Sequence, residues 1–271
     1  MTTKEEKELQ GKARSIRRAI LEMVAAAGSG HIGGAFSSAD VVTYLYFHGL
    51  NLNPQEPKSE DRDRLVLSAG HICTVFYGAF YEMGIVTKEE MLSLRQIDSK
   101  LQGHPDRLMM PVFETSSGSL GQGLSISVGM ALALRHKKNS AKVVCLMSDG
   151  EQEEGSTWEA AMAAAHYRLN NLIAIIDRNG MQIDGTTENV IGLAPIDEKY
   201  RAFGWRVVQA DGHDFSSIDK AYQEAKEGDR PAVIIARTVM GKGIRSIEND
   251  YRWHGKAITD NKAKQLIREL T

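Results

Sequence analysis

The most constraining part of this chain is a strand, turn, helix, strand unit between residues 143 and 176. Residues 143–147 and 172–176 are apolar runs with the length of short β-strands. Between them, residues 158–166 are rich in alanine and follow a Gly-Ser-Thr cluster that is typical of a helix start. A crossover of about 30 residues joins neighbouring parallel strands. The unit therefore predicts a parallel sheet.

Polar residues follow both predicted strands at the same edge of that sheet. Residues 148–150 (Ser-Asp-Gly) follow the first strand, and residues 177–181 (Asp-Arg-Asn-Gly-Met) follow the second. Because the carboxyl ends of parallel strands border one crevice, we expect Asp149 and Asn179 to bring two oxygen ligands together. Mg²⁺ requires oxygen ligands and usually shares them with phosphates. The spacing therefore indicates a magnesium diphosphate site.

The remainder of the chain continues the alternation of strands and helices. Residues 64–68, 206–210 and 232–236 are strand-like, and residues 216–227 are helical in pattern. This rhythm predicts an α/β fold, with a mostly parallel central sheet and helices on both faces.

An amphipathic helix is predicted to precede the sheet. Its apolar positions recur every three to four residues, at Leu9, Ala13, Ile16, Ile20 and Val24. We expect it to end at residues 28–30 and to place Arg14, Arg17 and Arg18 on its wetter side.

Composition excludes several classes of protein. Lys+Arg 33 against Asp+Glu 35 gives a net charge of −2, so no surface for nucleic acid is indicated. No stretch approaches the roughly 18 apolar residues of a membrane span, and the charged amino terminus does not resemble a signal peptide. Cys73 and Cys145 have apolar neighbours, which predicts buried thiols rather than a disulfide or a zinc cluster. A cytoplasmic protein is expected.

Histidines adjoin glycine at four predicted loops, at His31, His71, His104 and His254. Glycine lets the backbone pass close to a ligand, and imidazoles with a pKa near neutrality serve as acids, bases or hydrogen-bond donors. One such histidine has little weight, but four beside a diphosphate motif predict a functional set.

The motif after the two central strands is similar to the thiamine diphosphate signature and, more narrowly, resembles transketolase. The resemblance implies the thiamine-diphosphate-binding fold, with Mg²⁺ held by the Asp149 carboxylate, the Asn179 side-chain oxygen and the Met181 carbonyl. The resemblance also implies that Ca²⁺ or Mn²⁺ can replace Mg²⁺. Gly150 then lets the backbone approach the diphosphate. Ser148 replaces the first glycine of the family motif, and Arg178 stands where many thiamine enzymes have an asparagine.

The same resemblance implies roles for the histidines and for a glycine-rich loop. His31, His104 and His254 are the expected catalytic residues that contact the sugar, and His71 and His254 also reach the diphosphate. Residues 116–123 (Ser-Ser-Gly-Ser-Leu-Gly-Gln-Gly), here called the glycine loop, are similar to a transketolase loop beside the aminopyrimidine. The cofactor-binding residues expected there are Gly118, Ser119 and Leu120.

The remaining acidic residues near the motif, four further histidines and one lysine are predicted to lie outside the catalytic centre. Glu151 and Glu153 are expected to be solvated at a helix start, whereas Glu154 and Glu159 match family positions at a subunit interface. His213 is expected to be structural, and Lys242 to lie in an exposed loop. No role is predicted for the remaining histidines, which are His48, His136 and His166.

The resemblance implies a single diphosphate-binding domain over residues 1–271, without the pyrimidine-binding and C-terminal domains of full-length transketolases. The expected function is that of the N-terminal subunit of a split transketolase, which transfers a two-carbon ketol unit from a ketose phosphate to an aldose. A partner chain would supply the pyrimidine-binding domain and the activating glutamate in an α2β2 heterotetramer. Xylulose 5-phosphate and fructose 6-phosphate, the donors of the pentose phosphate pathway, are the default substrates, and sulfonated or branched sugar phosphates are alternatives.

The sequence also permits three competing interpretations. They are the α subunit of a 2-oxoacid dehydrogenase, a relative of deoxyxylulose phosphate synthase, and a non-catalytic nucleotide-binding α/β module. The histidine contexts favour transketolase over the first, and the missing second domain counts against the second. The presence of all four histidines argues against the last.

Overall fold

The structure, a computed structural model, describes residues 1–53, 56 and 58–270. Within this part of the chain, a central sheet has five parallel strands in the order β1-β2-β3-β7-β6. A short antiparallel hairpin, β4–β5, follows β3. The strands are β1 (Arg64–Leu67), β2 (Val143–Ser148), β3 (Leu172–Arg178), β4 (Met181–Gln182), β5 (Gly185–Thr186), β6 (Arg206–Asp211) and β7 (Ala232–Arg237).

Helices connect these strands and cover both faces of the sheet. They are α1 (Thr3–Ala27), α2 (Gly33–Ser37), α3 (Ala39–Tyr44), α4 (Thr74–Glu82), α5 (Lys88–Leu92), α6 (Gln122–His136), α7 (Gly155–His166), α8 (Thr187–Val190), α9 (Ile196–Ala202), α10 (Phe215–Lys226) and α11 (Asp260–Glu269). A π-helical turn, Leu45–Gly49, extends α3, and 3₁₀ turns occupy Gly70–Ile72, Gly150–Glu153 and Tyr251–Trp253. Within the described residues, no helix has both the length and the apolar character to cross a membrane.

The apolar runs of the strands divide between two cores. Val144 and Leu146 of β2 pack into one core with α1 and α4, whereas Cys145 and Met147 pack into the other with α6 and α7. Successive side chains of a strand point to opposite faces, so a strand buried on both sides needs a continuous apolar sequence. The predicted α/β fold with helices on both faces is confirmed.

The first helix begins at a capping box, in which Thr2 and Glu5 bond each other's backbone amides, and it ends at Gly28. Arg14 and Arg18 are exposed as predicted, but the prediction for Arg17 is wrong. Arg17 is 5% exposed and makes a bidentate ion pair with Asp40 of α3. Helices packed around α1 cover the side that its own periodicity left polar.

Candidate functional site

A cavity of about 370 Å³ lies at the carboxyl ends of β2 and β3. Parallel α/β sheets bind ligands at this edge. The structure brings together most of the residues predicted for the site, because the cavity is lined by His31, His71, Gly118, Leu120, Asp149, Gly150, Asn179, Met181 and His254. Ser119 is exposed and does not line it, and His104 lies at its rim, where a Cβ added at Gly118 would be 3.7 Å from His104 Cδ2.

Asp149 joins the ends of the two central strands. Its Oδ1 accepts from the Gly150 amide at 2.8 Å, and its Oδ2 accepts from the Gly180 amide at 2.6 Å. The guanidinium of Arg178 lies 3.2 Å from Oδ2. Burial, followed by the charge of Asp177, raises the pKa of Asp149 to about 7. This carboxylate is therefore incompletely compensated by its protein partners.

The Asn179 side chain has a defined orientation. Its Nδ2 donates to Ser37 Oγ at 3.1 Å and to Asp177 Oδ2 at 3.2 Å. Its Oδ1 therefore faces the other way, where it accepts from the Met181 amide at 2.9 Å. An amide oxygen keeps a second lone pair, so Oδ1 remains able to bind a cation.

Asp177 is a buried residue of this site that sequence reasoning missed. Its side chain accepts from Ser37 at 2.5 Å, from Ser38 at 3.0 Å and from the Thr238 hydroxyl. Burial raises its pKa, although these donors oppose the rise. Its position at a strand end was the available signal, but the hydroxyl partners are distant in sequence.

His31, His71 and His254 form a compact cluster on one wall of the cavity. The ring centroids are 5.1 Å apart for His31 and His71, 5.5 Å for His31 and His254, and 5.2 Å for His71 and His254. Burial, followed by the neighbouring His254, lowers the pKa of His31 to about 4 and that of His71 to about 3. Burial also lowers the pKa of His254. At neutral pH this wall is made of uncharged imidazoles, which both donate and accept hydrogen bonds.

The rim histidine has a different environment. His104 is exposed, and partial burial and the charge of Arg95 lower its pKa. It is therefore also mostly uncharged at neutral pH but remains accessible to a molecule that enters the cavity.

Glu151 contradicts its prediction as a solvated helix-start residue. It is 0% exposed and accepts from the Ser68 hydroxyl, the Gly121 amide and the Ser148 amide. Burial raises its pKa, and these three donors partly offset the effect. The reason is that residues Gly150–Glu153 form a separate 3₁₀ turn ahead of α7, which directs Glu151 between the strand ends.

The other acids of this segment lie nearer to the surface. Glu153 is half-buried, lines the cavity and accepts from Gln182 at 2.6 Å, so its prediction as a freely solvated residue is also wrong. Glu154 borders the cavity and is exposed, and Glu159 is exposed on α7. Their interface role stays a prediction.

Residues outside the cavity follow their predictions in part. Cys73 and Cys145 are buried free thiols, as expected. His213 Nε2 accepts from the Val239 amide at 2.8 Å, so its Nδ1 carries the proton and donates to Asp40 at 2.7 Å. Lys242 is half-buried rather than exposed, and it borders a second cavity beside β6 and β7.

Comparison with known proteins agrees with this geometry. The family described as transketolase, thiamine diphosphate binding domain, matches residues 9–271. An apulose-4-phosphate transketolase subunit from Phocaeicola vulgatus is 39% identical over 264 residues, which cover 97% of this chain and 94% of that protein. The 6-deoxy-6-sulfo-D-fructose transketolase subunit SqwG of a Clostridium species is 38% identical over 264 residues, with coverage of 97% and 96%.

A solved structure extends the likeness to three dimensions. The crystal structure of transketolase from Campylobacter jejuni superposes with a TM-score of 0.90 at 33% identity, covering 96% of this chain and 42% of that one. The chain thus spans less than half the length of this transketolase and nearly all of the two subunits. These likenesses do not support the dehydrogenase, synthase or nucleotide-binding alternatives. The chain belongs to the transketolase family, in the domain that binds thiamine diphosphate.

Proposed function

We propose that this chain is the thiamine diphosphate-binding subunit of a split transketolase and acts as one domain over residues 1–271. It transfers a two-carbon ketol unit from a ketose phosphate to an aldose acceptor when a partner chain is bound. The observation that carries the proposal is one cavity lined both by three clustered histidines and by Asp149 and Asn179. Relatives of matching length that are named as transketolase subunits support it.

The residues present fit a divalent cation shared with a diphosphate. The Asp149 carboxylate, the Asn179 Oδ1 and the Met181 carbonyl supply the hard oxygen donors that Mg²⁺ selects. The raised pKa of Asp149, caused mainly by burial, indicates a charge that a cation would offset. We assign Mg²⁺ to these ligands, with Ca²⁺ or Mn²⁺ as substitutes; the cation would be shared with the diphosphate of the cofactor.

The cofactor and the protein have separate tasks. Thiamine diphosphate supplies the nucleophilic carbon and the electron sink. His31 and His254, as uncharged imidazoles, hydrogen bond the sugar oxygens on which charge develops, and His71 and His254 orient the diphosphate. His104 at the rim takes or returns a hydroxyl proton of the sugar. Gly118 and Leu120 would hold the aminopyrimidine from the cavity wall, and Ser119 would support it from its exposed position between them.

The partner chain carries the pyrimidine-binding domain and the glutamate that activates the cofactor. Exposed apolar side chains near the cavity and on α7, such as Ile183 at 67% and Met162 at 50%, suit an interface. Glu154 and Glu159 belong to that interface in an α2β2 assembly. The two buried free thiols agree with a cytoplasmic location.

The substrate class is a ketose phosphate or a close anionic analogue. Xylulose 5-phosphate and fructose 6-phosphate are the default donors. Apulose 4-phosphate and 6-deoxy-6-sulfofructose enter as candidates because the relatives named for them are 36–39% identical to this chain. The partner chain binds the distal anion of the donor sugar, and this chain contacts the end that carries the transferred two-carbon unit.

An assay with thiamine diphosphate and Mg²⁺ tests the proposal, run on this chain alone and with the product of the neighbouring gene. Ketol transfer is expected only in the mixture, and Asp149→Ala should abolish it together with Mg²⁺-dependent cofactor binding. Transfer by the chain alone would contradict the need for a partner. Absence of transfer with all four donors would contradict the proposed activity.

A further inference from the structure

We propose that Glu151 is a positioning residue, whose buried carboxylate holds the glycine loop against the carboxyl ends of β1 and β2. It thereby sets the cavity wall made by Gly118 and Leu120. The inference rests on the proposed function, because it assigns that wall to thiamine diphosphate.

The contacts of Glu151 join three separate segments of the chain. Its Oε1 accepts from the Gly121 amide at 2.7 Å and from the hydroxyl of Ser68, which follows β1. Its Oε2 accepts from the Ser148 amide at 3.1 Å, at the end of β2. Ser68 Oγ in turn accepts from the Gly123 amide at 3.0 Å. Two amides of the glycine loop are therefore held by one carboxylate and its hydroxyl partner.

Close packing surrounds two glycines at the end of this loop. Gly121 has a φ of 78°, and a Cβ there would overlap Ser156 Oγ and lie 2.8 Å from Glu154 Cβ. A Cβ at Gly123 would overlap Ser68 Oγ. Gly121 needs glycine because its φ is positive, and both positions suit glycine because it requires no side-chain space. The carboxylate and this close packing therefore restrain the same segment of the loop.

The chemistry of the contacts requires an acceptor on both oxygens. All three partners donate to Glu151, and an ionised carboxylate is the side chain that only accepts. A glutamine of the same length has an NH₂ group, which would face an N–H or O–H donor at one of the two oxygen positions. Glu151→Gln therefore preserves size and removes the acceptor, which leaves a buried donor unpaired.

Asp63 provides a matched control. It is also a buried carboxylate, at 8% exposure, and it accepts two backbone amides, from Asn51 at 2.9 Å and from Lys142 at 2.7 Å. It lies at the amino ends of β1 and β2, at the opposite edge of the sheet from the cavity. Asp63→Asn should therefore cause a comparable loss of stability without reaching the glycine loop.

The experiment compares Glu151→Gln, Asp63→Asn and the unmodified chain with two readouts. Amide ¹H–¹⁵N spectra of the isolated chain report on Gly121, Gly123 and Ser148, and titration of thiamine diphosphate at saturating Mg²⁺ into the complex with the partner chain gives the Kd. We expect Glu151→Gln to shift these amides and to raise the Kd about tenfold, with the Mg²⁺ half-saturation unchanged. Asp63→Asn should leave the three amides and the Kd unaltered.

An unshifted Gly121 amide, or an equal rise in Kd for both variants, would overturn the proposal. If Glu151→Gln fails to fold, Ser68→Ala replaces it, since this change removes the hydroxyl that joins Glu151 to Gly123; an unchanged Gly123 amide and Kd in this variant are then the refuting result. A failure of the unmodified complex to bind thiamine diphosphate would instead refute the proposed function, and the amide spectra would still decide whether Glu151 holds the loop.

Discussion

Replacement of Asp177 by asparagine tests how the cation ligands are oriented. Asp177 is 1% exposed, and its carboxylate accepts a hydrogen bond from Asn179 Nδ2 at 3.2 Å. It also accepts hydrogen bonds from the hydroxyls of Ser37, Ser38 and Thr238. Asparagine has an NH₂ group in place of one carboxylate oxygen, whereas the four side chains around Asp177 all donate hydrogen bonds to it. We expect Asn179 to lose the partner that turns its Oδ1 toward the cation.

The expected magnitude follows from these contacts. A hydrogen bond to a charged group contributes about 1.5–3 kcal/mol, and loss of a partner behind a metal ligand costs about 10–100-fold in metal affinity. Asp177→Asn should therefore raise the Mg²⁺ concentration for half-maximal thiamine diphosphate binding by about 10–100-fold.

The assay is a Mg²⁺ titration of the complex with its partner at fixed thiamine diphosphate, followed by calorimetry. Ser37→Ala and Ser38→Ala form a matched pair, because both hydroxyls donate to Asp177 but only Ser37 accepts from Asn179. Ser37→Ala should shift the titration more than Ser38→Ala does. A folded Asp177→Asn protein with an unchanged Mg²⁺ requirement would refute the reasoning.

Two further predictions concern the rim histidine and the Arg17–Asp40 pair. His104→Ala should retain cofactor binding and slow ketol transfer by about 10²–10⁴-fold, and an unchanged rate would remove the assigned role. Burial raises the pKa of Asp40, but Arg17 and His213 together lower it by more than burial raises it. The pKa of Asp40 is therefore below its ordinary value. The pair therefore stabilises the fold above about pH 4, the unfolded pKa, and the stability is lost as pH falls through the folded pKa. Asp40→Asn should reduce the free energy of unfolding by about 3–5 kcal/mol at pH 7 and flatten its acid dependence, as measured by urea denaturation at several pH values; equal acid dependence in both proteins would contradict this account.

The central strands and the turns that follow them could be predicted from sequence because their determinants are local. The apolar runs before Asp149 and Asn179 are buried on both faces, which leaves a continuous pattern in the sequence. The glycine neighbours of His31, His71 and His254 marked loops that the fold then brought to one cavity.

The supporting contacts were not predictable in the same way. Arg17 and Glu151 are charged residues in helical or turn contexts, for which a solvated position is the ordinary expectation. Their burial depends on Asp40 in one case and on Ser68 in the other, and these partners lie 23 and 83 residues away. A pattern within one element carries no information about such partners.

The hydroxyls that surround Asp177 have a consequence for the order in which the molecule folds. Ser37 and Ser38 are 140 and 139 residues from Asp177, and Thr238 lies 61 residues beyond it. Contacts between distant parts of a chain close long loops and slow the folding of a domain. The full set of donors to Asp177, which is one of the two acceptors that orient Asn179, is therefore complete only after Thr238, directly beyond β7, has reached the site. During synthesis, a nascent chain from which Thr238 has not yet emerged therefore lacks the hydroxyl that bonds Asp177 Oδ1.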